Sequence, residues 1–248
     1  MRLVARRGLL VLQVAALLAW GGGAIAKPPV LVELFTAQGC SSCGKADTLV
    51  AGLADDKGVL VLTYGVDYWD YLGWKDTFAK PEFADRQRLY AKRFGIAEVY
   101  TPQVVVDGSA QAPPVKAAAV EALVRQARRA ELDPPDMAFR GEKVAVGSGR
   151  RPKGGAEVWL VRYDPKQAEV EIKDGDNRGQ TVVERNVVVQ IARLGAWKGR
   201  PVLLAMPAPP ADGLATAVVV QGAGGGRVLG VLQSAAEEKP EPAHGDQH

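Results

Sequence analysis

Val30-Leu31-Val32-Glu33-Leu34-Phe35-Thr36-Ala37-Gln38-Gly39-Cys40-Ser41-Ser42-Cys43 is the stretch on which the fold turns. Its first half is apolar apart from one charge, Glu33, as in a buried parallel strand. After the cysteines, Ala46, Leu49, Val50, Leu53 and Ala54 recur at helical spacing, which puts Cys40 and Cys43 at a helix N-terminus. Val59 to Tyr64 is a second apolar run of strand type. Strand, helix and strand within about 35 residues make a parallel β-α-β unit.

The spacing Cys40-Ser41-Ser42-Cys43 brings both sulfurs into one turn, close enough to form a disulfide. Unpaired backbone N–H groups at a helix start favour a thiolate, so Cys40 is the candidate nucleophile. Cys43, one turn inward, is the candidate resolving thiol for a mixed disulfide. On the residues alone, the pair also reads as a structural disulfide or as half of a metal site. Two cysteines exclude a four-cysteine zinc site in one chain. Both histidines, His244 and His248, lie in an acidic tail, so the folded part has no Cys-His dyad and no histidine for copper beside the pair. Cu(I) held by the two thiolates alone stays open. No cofactor is expected.

Working outward, Asp67 to Phe78 is aromatic and irregular, and Pro81 opens a helix that runs to Phe94 and stops at Gly95. Thr101-Pro102 precedes the strand Val104-Val105-Val106, where a proline is tolerated because no ladder donor is needed. An Ala-rich helix spans 113–130. Leu132 to Asp136 reads as a linker. Beyond it, β-rich runs at 143–146, 156–163, 168–172, 181–191, 215–221 and 227–232 point to a small antiparallel β-sandwich or open barrel. Gly222 to Gly226 lacks the following Lys-Ser/Thr of a phosphate loop and reads as a turn. Arg125, Arg128 and Arg129 read as the solvated face of a helix, not a nucleic-acid site.

Strand–CxxC–helix–strand, with Thr-Pro before a strand ending in Asp107-Gly108, resembles the thioredoxin fold. Closer still is the likeness to a secreted bacterial thioredoxin-like family of unknown function. It is carried by Glu33 to Thr36, Gln38 to Cys43, Val66 to Asp76 and Val99 to Gln103, and reaches Gly175 to Gly179 and Asn186 to Val188. The resemblance implies an α/β chain: a thioredoxin-like N-terminal domain (27–132) with a helical insert at about 67–95, then a small all-β, sandwich-like domain (137–235). It implies a cis Thr101–Pro102 bond, with Pro102 organising a substrate groove and Thr101 backbone groups available to an extended substrate. The insert places Trp69, Tyr71 and Trp74 as groove aromatics, with core packing as the alternative. Gly44-Lys45 departs from the prolines this family carries after the second cysteine. Thioredoxins carry a buried acid six residues before the first cysteine. Leu34 stands there in this chain, so Glu33 serves as the base for Cys43 only if a one-residue bulge turns it under the disulfide.

The two ends complete the reading. Arg2, Arg6 and Arg7, the apolar run Gly8 to Trp20 and Ala24-Ile25-Ala26 form a secretory signal over 1–26, cleaved after Ala26. The run is short of the about 20 residues that span a bilayer; an uncleaved anchor is the alternative and would be the only link to a membrane. All of the formal charge of +3 lies in those three arginines, which leaves 28 Lys and Arg against 28 Asp and Glu, so the basic pI of about 8.8 argues for no nucleic-acid partner. Residues 236–248 are expected to form a disordered acidic tail. The expected protein is a periplasmic or secreted thiol–disulfide oxidoreductase acting on a cysteine-bearing protein or small thiol. The competing readings are a non-catalytic binding module with a structural Cys40–Cys43 disulfide and a Cu(I) carrier.

Overall fold

The computed structural model describes residues 27–114 and 117–234, so the expected leader and acidic tail lie outside the described residues. Strand β1 (Val30–Thr36) is buried at every position, as its apolar run demands. Helix α1 (Cys43–Leu53) and strand β2 (Val59–Gly65) complete the β-α-β unit, with β1 and β2 parallel from Val30↔Val59 to Thr36↔Gly65. A single 3-10 turn at Asp70–Leu72 precedes helix α2 (Pro81–Phe94), which carries Pro81 in its first turn and ends on left-handed Gly95 at φ 68°. Strands β3 (Gln103–Val106) and β4 (Ala110–Ala112) form a hairpin antiparallel to β1, and α3 (Ala117–Arg129) follows.

The β-rich part does not stand as a separate sandwich. Strands β7 (Ala156–Glu171), β8 (Thr181–Trp197), β10 (Ala215–Gly222) and β11 (Val228–Ser234) extend the first sheet, giving the eight-stranded order β11-β10-β7-β8-β2-β1-β3-β4. The runs expected at 156–163 and 168–172 are one strand, β7, with register shifts at Arg162/Tyr163 and Asp164/Gln167. A second, three-stranded antiparallel sheet holds β5 (Met137–Arg140), β6 (Lys143–Val146) and β9 (Val202–Ala205). The architecture is mixed α/β with a small added sheet.

Period-2 alternation sorts the side chains into two faces. On one face Leu31, Phe35, Leu62, Tyr64, Val161 and Val219 pack beneath Phe83 and Tyr90 of α2. On the other, Val32, Leu34 and Val61 meet Val50 of α1 and Val120 and Val124 of α3. Farther along that face, Val158, Leu160, Val218 and Val220 meet Val144 and Val146 of the small sheet. The sandwich layer expected from the sequence thus exists locally, as a three-stranded cover on a shared sheet.

The two halves of the large sheet meet at one backbone pair, Thr63↔Val187, parallel. Side chains supply what the short ladder lacks. Thr63 Oγ1 donates to Arg185 O at 2.7 Å, and Asn186 Nδ2 donates to Val61 O at 2.9 Å. Asn186 adopts φ 53°, a left-handed conformation that Asn tolerates better than most residues. Replacing Asn186 by Ala should therefore cost about 2 kcal/mol, combining the lost hydrogen bond with left-handed strain, and Asn186→Gly about half of that. Urea unfolding of the two variants checks the order.

Candidate active site around Cys40 and Cys43

Cys40 and Cys43 are joined by a disulfide, with Cα atoms 5.4 Å apart. Cys43 is the first residue of α1, and Cys40 lies in the turn before it, where Cys43 N donates to Cys40 O at 3.0 Å. Cys40 therefore stands just outside the helix start rather than on it. Ser42 caps the helix without a side-chain hydrogen bond; its hydroxyl lies 3.4 Å from Cys40 Sγ instead. Both sulfur residues are nearly covered, Cys40 at 6% exposure and Cys43 at 1%.

Gln38 holds the loop before the disulfide. Its backbone N–H donates to Asp76 Oδ2 at 2.7 Å, and its carbonyl accepts from Asn177 Nδ2 at 2.7 Å. Its side-chain oxygen accepts from Trp74 Nε1 at 2.9 Å and from Thr77 N at 3.1 Å. Asp76 also accepts from the N–H groups of Phe78 and Ala79, so it clamps the insert to the cysteine loop. Asn177 comes from the β7–β8 connection, about 140 residues from Gln38 along the chain.

The Thr101–Pro102 peptide is cis, and Pro102 is buried. Trp69 Nε1 donates to Thr101 Oγ1 at 2.6 Å, while a Cβ on Gly39 would sit 3.6 Å from the Trp69 carbonyl. Trp69 thus bridges the cysteine loop and the Thr101–Pro102 segment. Tyr71 stacks on Trp69 with centroids 6.1 Å apart and is 77% exposed. With Arg88, Lys92, Ile96 and Val99 these two rings line an open groove of about 640 Å³. Trp74 is committed to Gln38 and lies outside that lining. The insert's aromatics therefore divide: Trp69 and Tyr71 face the groove, and Trp74 braces the loop.

Glu33 takes a different place from the one a bulge would give it. The β1–β2 register is regular throughout, and Glu33 points to the α2 face, opposite Leu34 and Thr36. It is fully buried and accepts from Arg86 Nε at 2.6 Å and from the Tyr90 hydroxyl. Arg86 also reaches Gln221 Oε1 at 3.4 Å, and Gln221 Nε2 donates to Tyr90 Oη at 3.0 Å. Both carboxylate oxygens are engaged, so Glu33 is a buried structural anion and not a base under the disulfide.

On the opposite face lie buried carboxyls to which no role was given in advance. Asp47, 2% exposed, accepts from Thr36 Oγ1 at 2.6 Å through Oδ1, while Oδ2 has no partner among the described residues. Burial pushes the Asp47 carboxyl up to about 7; the Thr36 hydroxyl opposes this and the charge of Asp76 adds to it. Glu184 on β8, also 2% exposed, has no hydrogen-bond partner on either oxygen among the described residues, and burial first, then Asp47 and Asp76, push it well above the carboxylate range. Gln38 bears on Glu184, but its Nε2 is bonded to Thr77 Oγ1 at 2.9 Å. The sequence signal was present only as Asp at the fourth residue after Cys43, the same face of one helix.

Two measurements follow. Arg86→Met, which strands a buried anion, should cost about 3–5 kcal/mol, and the double variant Glu33→Leu/Arg86→Met less than that, in a double-mutant cycle of unfolding free energies. Asp47 is protonated more readily when folded, so its contribution to stability is complete below about pH 4 and disappears as pH rises through about 7. Asp47→Asn should accordingly be neutral at pH 4 and stabilising by about 3 kcal/mol at pH 8, read from unfolding curves at the two pH values.

Comparison with known proteins places this geometry in a family. A family profile described as a protein of unknown function, DUF1223, matches residues 31–221. Among solved structures, protein AGR_C_4864 from Agrobacterium tumefaciens is similar, with 27% identity and a TM-score of 0.68, covering 88% of this chain and 99% of that one. HBP35 of Porphyromonas gingivalis is similar in fold, with 12% identity and a TM-score of 0.56, covering 90% of this chain and 79% of that one. No curated protein matches. With 31–221 matched, spanning the cysteine pair, the cis proline and Asn177, the chain belongs to the DUF1223 family.

Proposed function

We propose that this chain is an exported thiol–disulfide oxidoreductase of thioredoxin-like type that exchanges disulfides with a cysteine-bearing protein or small thiol. The observation that carries the reading is the Cys40–Cys43 disulfide in a loop that Trp69 bridges to the cis Thr101–Pro102 peptide, with Trp69 and Tyr71 also lining an open groove.

In the reducing direction the Cys40 thiolate attacks one sulfur of a substrate disulfide. A Cys40–substrate bond forms, the substrate S–S bond breaks, and one substrate thiolate leaves. Cys43, deprotonated, then attacks Cys40 Sγ; the Cys40–Cys43 bond forms and the second substrate thiolate leaves. Two electrons pass from the dithiol to the substrate. The reverse sequence oxidises a substrate dithiol. Pro102 shapes the groove, Thr101 offers backbone groups to an extended chain, and Trp69 and Tyr71 supply the apolar wall. The oxidising compartment implied by the expected leader suits this chemistry.

The test uses the exported protein. Cys43→Ser should accumulate a mixed disulfide through Cys40, visible as a mass shift released by dithiothreitol, and Cys40→Ser should accumulate none. If neither variant captures a partner and the native disulfide resists reduction, the binding-module reading replaces this one. Stoichiometric Cu(I) uptake by the reduced pair, without exchange, would favour the carrier.

A further inference from the structure

We propose that Asp47, one turn beyond the resolving cysteine on α1, accepts the Cys43 proton during disulfide exchange, a step that rests on the oxidoreductase reading. Cys43 and Asp47 are four residues apart in one helix. Residues so spaced lie on one face, with Cβ atoms about 5–6 Å apart. Cys43 is 1% exposed and Asp47 2%, so a thiol there has little water to receive its proton.

The lone pairs decide which carboxylate serves. Both oxygens of Glu33 are held by Arg86 and Tyr90 on the opposite face of the sheet. Asp47 keeps Oδ2 buried and without a donor, while Thr36 fixes its Oδ1. The groups that face this site are Thr36 of β1, Asp76 and Gln38 of the loops, and Glu184 of β8; the two nearby charge-bearing groups are carboxyls, and Asp47 makes no ion pair among the described residues. Buried like charges do not ionise together. Burial and the neighbouring carboxyls push Glu184 well above the carboxylate range, and neither of its oxygens is hydrogen-bonded among the described residues, so the exchanging role falls to Asp47. Asp76, by contrast, is fixed by three backbone N–H donors.

The step balances. After Cys40 has bonded to the substrate, the Cys43 S–H bond breaks and its proton passes to Asp47 Oδ2. The Cys43 thiolate attacks Cys40 Sγ, the substrate thiolate leaves, and the proton held on Asp47 passes afterwards to solvent or to that thiolate.

Reduced protein mixed with dithionitrobenzoate disulfide releases one coloured thiolate when Cys40 attacks and a second when Cys43 resolves, so the phases separate the steps. Asp47→Asn, which preserves the Thr36 hydrogen bond, should leave the first phase unchanged. It should slow the second about 100-fold at pH 7 and erase its inflection near neutral pH. Asp47→Glu should restore part of the second phase, and Glu184→Gln should keep the inflection. A second phase in Asp47→Asn with the wild-type rate and pH profile overturns the assignment while leaving the oxidoreductase reading intact. Loss of the inflection in Glu184→Gln but not in Asp47→Asn also overturns it, in favour of Glu184. Absence of both phases in the wild-type protein would sink the oxidoreductase reading itself.

Discussion

A full negative charge sits at zero exposure in the middle of β1, and the rest of the molecule is arranged around keeping Glu33 paired. An unpaired buried carboxylate costs several kcal/mol, so Arg86 must arrive at that point, and with it α2. Once Arg86 is docked, the next residue, Gln87, faces the Thr101–Pro102 segment. Its Nε2 donates to Tyr100 O at 2.8 Å and to Gln103 Oε1 at 3.0 Å, and its Oε1 accepts from Tyr68. The same helix therefore neutralises the strand and pins both the cis-proline segment and the aromatic insert. Gln221 extends the network to β10, so the charge also ties the β-rich part to the first strands.

The two faces of β1 consequently do different work. On the α2 face the carboxylate is saturated with donors and its arginine stacks over Tyr90 and Trp159. On the α1 face Asp47 Oδ2 and both Glu184 oxygens lack a donor among the described residues. Low dielectric acts on both: on the first face it strengthens the Arg86 and Tyr90 bonds that satisfy Glu33, and on the second it pushes the Asp47 and Glu184 carboxyls upward.

Much of this was readable before any coordinates. The strand–CxxC–helix–strand order followed from periodicity, and α2 was delimited by Pro81 and Gly95, whose backbone preferences are local. Of the residues that came through resemblance, Trp69 and Tyr71 line one groove, and Trp69 is bonded to Thr101. What stayed hidden is what only tertiary contact decides. Glu33 could not be assigned a partner because Arg86 lies 53 residues away and looks like any helix arginine. Neither Asp47 nor Glu184 stood out, since burial of a polar side chain leaves no mark in composition. The continuity of the sheet was invisible because it depends on one parallel pair and on Asn186, not on an apolar pattern.

The β7–β8 connection touches the cysteine loop at its far end. Gly175 there adopts φ 72°, and a side chain on it would press to 2.9 Å from the Leu72 carbonyl, while Asn177 holds Gln38. The reach of that connection is thus matched to a backbone surface rather than to a pocket with slack. Its length is a tolerance, like the gap in a mechanical fit. Inserting a tag or a domain at residues 175–178 would lift Asn177 from Gln38 and loosen a loop that begins almost 140 residues earlier.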